Sequence, residues 1–154
     1  MKLAMKLLAF FCILLAIITI FLLFQHSPEI EYSVITFYTN DTNISFTCEI
    51  ADDASSRTKG LIGRDQLDND HGMLFVYDAA EQRTFHMRDM NFPLDILFID
   101  EHLTVINIVS ANISEENIQS IRPARYVLEI NQDLCRHYGI DEGTRVSISE
   151  KLNQ

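Results

Sequence analysis

Residues Leu7 to Phe24 read LLAFFCILLAIITIFLLF, eighteen residues without a charge, interrupted only by Cys12 and Thr19. As a helix this run is ~27 Å long, close to the hydrocarbon thickness of a bilayer. A cleaved secretory signal has a shorter apolar core and small residues at its end. Here the run is long, and Phe24, Gln25, His26 and Ser27 offer no such site, which favours an uncleaved anchor. Lys2 and Lys6 precede the run, whereas Glu29 and Glu31 follow it. The excess of positive charge before the helix predicts a single-pass protein of the cell membrane. Its N-terminus is then cytoplasmic and its C-terminal domain extracytoplasmic.

The expected organisation is a transmembrane anchor over 1–26, a stalk over 27–31 around Pro28, and one domain over 32–154, long enough to bury its own core. The whole chain carries a net charge of −10, and with both anchor lysines set aside the domain is more negative still. Such a surface repels phosphate backbones and argues against a nucleic-acid partner. The membrane is the first expected partner, followed by a small molecule or a protein of the envelope.

Short runs of β-branched and aromatic residues recur along the domain. Tyr32–Tyr38 and Ile44–Ala51 read as a hairpin about the turn Asn40-Asp-Thr-Asn43. Asp52 and Asp53 are N-cap candidates for a short helix limited by Gly60 and Gly63. Strands are expected over Met73–Tyr77, Arg83–Arg88, Leu94–Ile99, Leu103–Ala111, Tyr126–Ile130 and Thr144–Ser149. Asn112–Pro123 reads as a loop, and Gln132–Tyr138 as two helical turns stopped by Gly139. The pattern predicts a mainly β fold, a single compact sandwich or barrel-like domain with one or two short helices.

Several pieces in this order resemble the bacterial and archaeal family called domain of unknown function 192: EIADDASSRTKGLIGRDQL, HGMLFVYD, FHMRDMNFPLDILFID, PARYVLEI and GIDEGTRVSI. The resemblance implies a compact β-rich domain, commonly preceded by a signal or membrane segment, and implies no reaction. Three positions depart from the family pattern. Phe85-His86-Met87 stands for Phe-Trp-Met, Arg88-Asp89-Met90 for Lys-Asn-Thr, and Leu61-Ile62 for Leu-Met.

Asp95 and Glu129 each interrupt an apolar strand, and a buried carboxylate requires a partner. Arg57 and Arg64 are the candidate partners. Alternatively each acid points out of the sheet, or serves as a general acid or base. The candidate ligand surface comprises Arg57, Arg64, His86, Asp89, Asp95 and Glu129. His86, Met87, Met90 and Met73 offer soft donors suited to copper. Adjacent strand residues face opposite sides, however, so no metal site and no cofactor is expected. Cys48 and Cys135 could form a disulfide outside the cytoplasm. Asn40, Asn43 and Asn112 head glycosylation sequons. No nucleophile motif accompanies the acids. The favoured reading is a non-catalytic binding or assembly module of the cell envelope, and the alternative is an envelope enzyme using Asp95 or Glu129.

Overall fold

The computed structural model describes residues 2–24 and 30–149. The expected stalk falls largely outside the described residues, as do positions 150–154. The N-terminal run forms helix α1 (Lys2–Phe24). Its side chains are described from Met5 to Phe21, and every one is exposed. Among the described residues, no helix is long and apolar enough to cross a membrane. The expected anchor is present as an exposed apolar helix.

The domain is mainly β. Strands β1 (Tyr32–Tyr38) and β2 (Asn43–Ala51) form the expected hairpin, and helix α2 (Ala54–Lys59) follows. Then come β3 (His71–Glu81), β4 (Thr84–Phe85), β5 (Leu94–Ile99), β6 (Val105–Ala111) and β7 (Ile118–Gln119). Strand β8 (Ala124–Asn131), helix α3 (Leu134–Tyr138) and β9 (Arg145–Ile148) complete the order. Seven strands make one sheet in the order β6-β5-β8-β3-β2-β1-β9, while β4 and β7 pair separately. All pairs in the large sheet are antiparallel except β2 with β3, whose parallel pairing requires the crossover through α2.

The sheet curls into a half-barrel, so the barrel-like expectation is met and the sandwich is not. Its edge strands approach at one end, where Thr104 bridges Arg145. There the Val105 N–H donates to the Thr144 carbonyl at 3.0 Å, and the Val146 N–H to that of Leu103 at 2.9 Å. These bonds occupy edge groups that would otherwise invite pairing with another chain.

Two apolar cores lie on the two faces. Inside the curl, Ile35, Phe37, Phe46, Leu74, Leu97, Leu128 and Val146 pack together. Outside it, Phe75, Ile96, Phe98 and Val127 are covered by Leu61, Met87 and Ile118. Strand β5 is buried at every position, and successive side chains feed alternate cores. Leu94, Ile96 and Phe98 face outward, so Asp95 faces inward.

Asp95 is fully buried and does not meet either arginine. Its carboxylate accepts the hydroxyl of Ser110, its cross-strand partner, and the backbone N–H of Cys135 at 2.9 Å. The second bond caps α3 from a distant strand. Asp133, the residue at that helix start, adopts φ 69° and makes no side-chain cap. An acid at the first turn also complements the helix dipole.

Other expectations are corrected. The Arg83–Arg88 strand shrinks to β4, because beyond Phe85 the chain turns, and the Met87 N–H bonds the Glu115 carbonyl at 2.7 Å. The supposed loop Asn112–Pro123 contains β7, the partner of β4. Cys48 and Cys135 are free thiols buried in the inner core, and burial pushes both thiol pKa values well up. The three sequon asparagines, Asn40, Asn43 and Asn112, are all exposed.

Replacing Asp95 by Ala leaves the Cys135 N–H and the Ser110 hydroxyl without their acceptor. This should lower unfolding free energy by about 2–4 kcal/mol, read as an earlier urea midpoint. Asp133→Asn, which tolerates the same backbone, should change it by less than ~0.5 kcal/mol. A Cβ on Gly72 would lie 2.8 Å from the Glu129 carbonyl and 3.0 Å from Cys48 Sγ. Gly72→Ala should therefore cost about 1–3 kcal/mol in the same assay.

Candidate functional site

The register of the central strands builds the site. Glu49 pairs with Met73, Met73 with Glu129, and Glu129 with Ile96, so the four form one row on the outer face. Glu129 is 6 % exposed, and no hydrogen bond or ion pair joins its carboxyl to another described residue. It faces a cavity of about 260 Å³, together with Phe75, Tyr77, Phe85, His86 and Met90. Burial alone raises its pKa from 4.5 to about 8.

One wall of the cavity is α2 and the turn after it. Asp53 starts the helix as expected, accepting from the Ser55 and Ser56 N–H groups at 2.7 and 3.1 Å in a capping box. Gly60 ends it at φ 49°, a region that favours glycine, where a Cβ would sit 3.4 Å from the Phe75 ring. Arg57, on this helix, does not reach Glu129. Its guanidinium donates to the Asp52 and Val76 carbonyls, the latter at 2.9 Å, and lies 5.0 Å from the Tyr77 ring centroid. Arg83 covers the same ring at 3.7 Å and donates to the Ala124 carbonyl. Burial raises the Tyr77 phenol pKa, and the two guanidinium charges offset that only in part.

The opposite side is aromatic. Phe85 meets Phe75 edge-on at 5.0 Å and Phe98 at 6.0 Å, so β4 pins a ring against the sheet. His86 is exposed and follows this strand, whereas its neighbour Met87 is buried in the outer core.

Of the six residues read as a ligand surface, Arg57, His86 and Glu129 line this one cavity. Arg64 lies in an adjoining hollow of about 480 Å³, which shares Lys59 and Gly60 with the first. There it grips Glu49 with two bonds of 2.5 and 2.6 Å, and this pairing raises the arginine pKa. The partner foreseen for Glu129 thus belongs to Glu49. Asp89 sits in an exposed turn at φ 60° and is not part of either lining. Asp95 is on the opposite face of the sheet. Phe75, Tyr77, Phe85 and Lys59 were not singled out from sequence. The alternation in MLFVY puts Phe75 and Tyr77 on the face of Glu129 only once the β3–β8 register is known.

Among the described residues, no three His, Cys, Asp or Glu side chains gather as metal ligands. Met73 and Met87 are core residues, and Met90 lines the cavity beside His86. The arrangement offers one isolated carboxyl at the bottom of an aromatic and apolar hollow, with cationic groups on its walls. It can exchange a proton or accept a donor, and it contains no nucleophile aligned with a base.

The raised pKa of Glu129 predicts a stability signature. The folded state retains a proton that the unfolded state releases above pH 4.5. Stability should therefore fall as pH rises from about 4.5 to about 8, by on the order of a few kcal/mol. Glu129→Gln should remove that slope, as urea titrations across this range would show.

The chain matches the family described as "Uncharacterized ACR", domain of unknown function 192, over residues 35–148. It is similar to the crystal structure of a protein of unknown function from Novosphingobium aromaticivorans, at 30% identity and a TM-score of 0.70. The match covers 74% of this chain and 83% of that one. It is also similar to a putative transcription regulator from Sinorhizobium meliloti, at 30% identity and a TM-score of 0.73, covering 80% of this chain and 97% of that one. No curated protein matches it. With its β domain matched almost end to end, the chain belongs to the family of domain of unknown function 192.

Proposed function

We propose that the β domain is a non-catalytic binding module of the cell envelope, with its ligand seated over Glu129. The observation that carries this reading is a buried carboxyl, bonded to no other described residue, at the lining of a cavity. A polar group in such surroundings is costly to keep unless something pairs with it. The cavity suits a small molecule, and its His86 stands where the family pattern has an aromatic residue.

The exposed apolar helix α1 supports attachment to a membrane, with Lys2 and Lys6 on the cytoplasmic side and the β domain outside. In sequence the uncharged apolar run extends from Leu7 to Phe24. A nucleic-acid partner fits poorly with a net charge of −10.

A second reading follows from the pKa of about 8: Glu129 would serve as a general acid or base in an envelope enzyme. Asp95 does not share this role, since both its oxygens are bonded inside the sheet.

A melting-temperature panel of small envelope metabolites on the full chain tests the binding reading. A ligand at 100 times its Kd should add about 2.7 kcal/mol, and Glu129→Gln should abolish the effect. Silence across the panel would move the function to protein contact. Turnover of a bound compound, lost in Glu129→Gln, would establish the enzyme instead. For the membrane reading, Asn40→Cys in a Cys12→Ser background should react with an impermeant maleimide in spheroplasts. Labelling only after lysis would overturn the proposed orientation.

A further inference from the structure

Among the described residues, no cation is bonded to the Glu129 carboxyl. Arg57 shares the cavity lining with it, but its guanidinium is committed to two backbone carbonyls and the Tyr77 ring. Arg64 is held by Glu49 across the row. Lys59 and His86 belong to the cavity lining but are exposed. On the strand sides, Glu129 faces Met73 from β3 and Ile96 from β5, both without charge. Phe75 and Phe85 supply ring surface in the same hollow. A carboxyl and aromatic rings in one small cavity are the two components that recognise an organic cation.

Resting on the reading of this cavity as a ligand site, we propose that it binds a small organic monocation, a primary ammonium, whose charge takes the place of the proton on Glu129. The step balances simply. The ammonium enters as RNH3+, the carboxylic O–H bond of Glu129 breaks, its proton leaves to solvent, and an N–H···O ion pair remains. One proton is released for each ammonium bound. The groups on the walls set a further limit. Arg57 and Lys59 are cationic, and they oppose a second positive charge on the ligand. A monoamine with a neutral or anionic tail fits, and a diamine does not.

Burial raises the pKa of Glu129 to about 8, which gives the proposal its pH dependence. The ionised, binding-competent fraction rises about 50-fold between pH 6 and pH 8, and apparent affinity should rise with it. Above pH ~10 the amine itself loses its charge, and binding should fall again.

The experiment is calorimetric titration of the full chain with n-butylammonium, using n-butanol and butyrate as neutral and anionic isosteres and 1,4-diaminobutane as the dication. Expected results are binding of n-butylammonium with release of close to one proton at pH 7, about 50-fold tighter at pH 8 than at pH 6. The diamine should bind more weakly. Glu129→Gln, an isosteric change at a site with no bonds to lose, should remove both binding and the pH dependence. Lys59→Glu, on the exposed rim, should strengthen n-butylammonium several-fold and admit the diamine. Binding that is flat in pH, or retained in Glu129→Gln, overturns the proposal. If butanol or butyrate binds in place of the ammonium and Glu129→Gln abolishes it, the ligand class is wrong while the binding site stands. If every probe and the metabolite panel are silent, the binding reading itself fails.

Discussion

Strands β3, β8 and β5 lie at the centre of the sheet with apolar material on both faces, and this double burial governs the rest of the molecule. A strand exposed on one side can send every second residue to water. Strand β5 has no such side: all six of its residues are buried. Each buried side chain on these strands must therefore be apolar, be satisfied locally, or face a cavity. Two cores follow from one sheet. The inner core needs the curl that brings β6 and β9 together at Thr104 and Arg145. The outer core needs the cover supplied by Leu61, Met87 and the small β4–β7 sheet.

The two acids show how the same constraint leads to different outcomes. Asp95 and Glu129 are on neighbouring strands, offset by one residue, so they point to opposite faces. Asp95 enters the inner core, where a serine hydroxyl and a helix N–H are in reach, and it becomes part of the scaffold. Glu129 enters the outer face, where its neighbours along the row are Met73 and Ile96 and the arginines are engaged elsewhere. Full satisfaction makes Asp95 structural. Lack of it makes Glu129 the chemically available group.

The cavity over Glu129 exists because of what surrounds it rather than what it contains. The parallel pairing of β2 with β3 requires a crossover, and α2 in that crossover becomes the wall. Gly60 lets the chain turn over Phe75 without a Cβ in the way. Phe85 is held against Phe75 and Phe98 by the pairing of β4 with β7. Three elements remote in sequence thus converge on one carboxyl.

Much of the scaffold was legible in the chain. Strand patterning marked β1, β2 and β5 nearly to the residue, and the centre of β8. Asp53 and Gly139 marked a helix start and a helix stop, because caps and left-handed turns are local chemistry. The long apolar run determined a helix, since a segment of that composition does not leave its backbone unbonded. The short strands β4 and β7 were hidden because two residues carry no periodicity, and each exists only through the other. Partner choice was equally out of reach. Arg64 answers Glu49 rather than Glu129 because strand register and the crossover put them together, and register is a property of pairs of strands. The sequence by itself determined which residues had to be buried and which acids would need an answer. Only the tertiary structure decided which face each acid met, and hence that one is bonded and the other is open to a ligand.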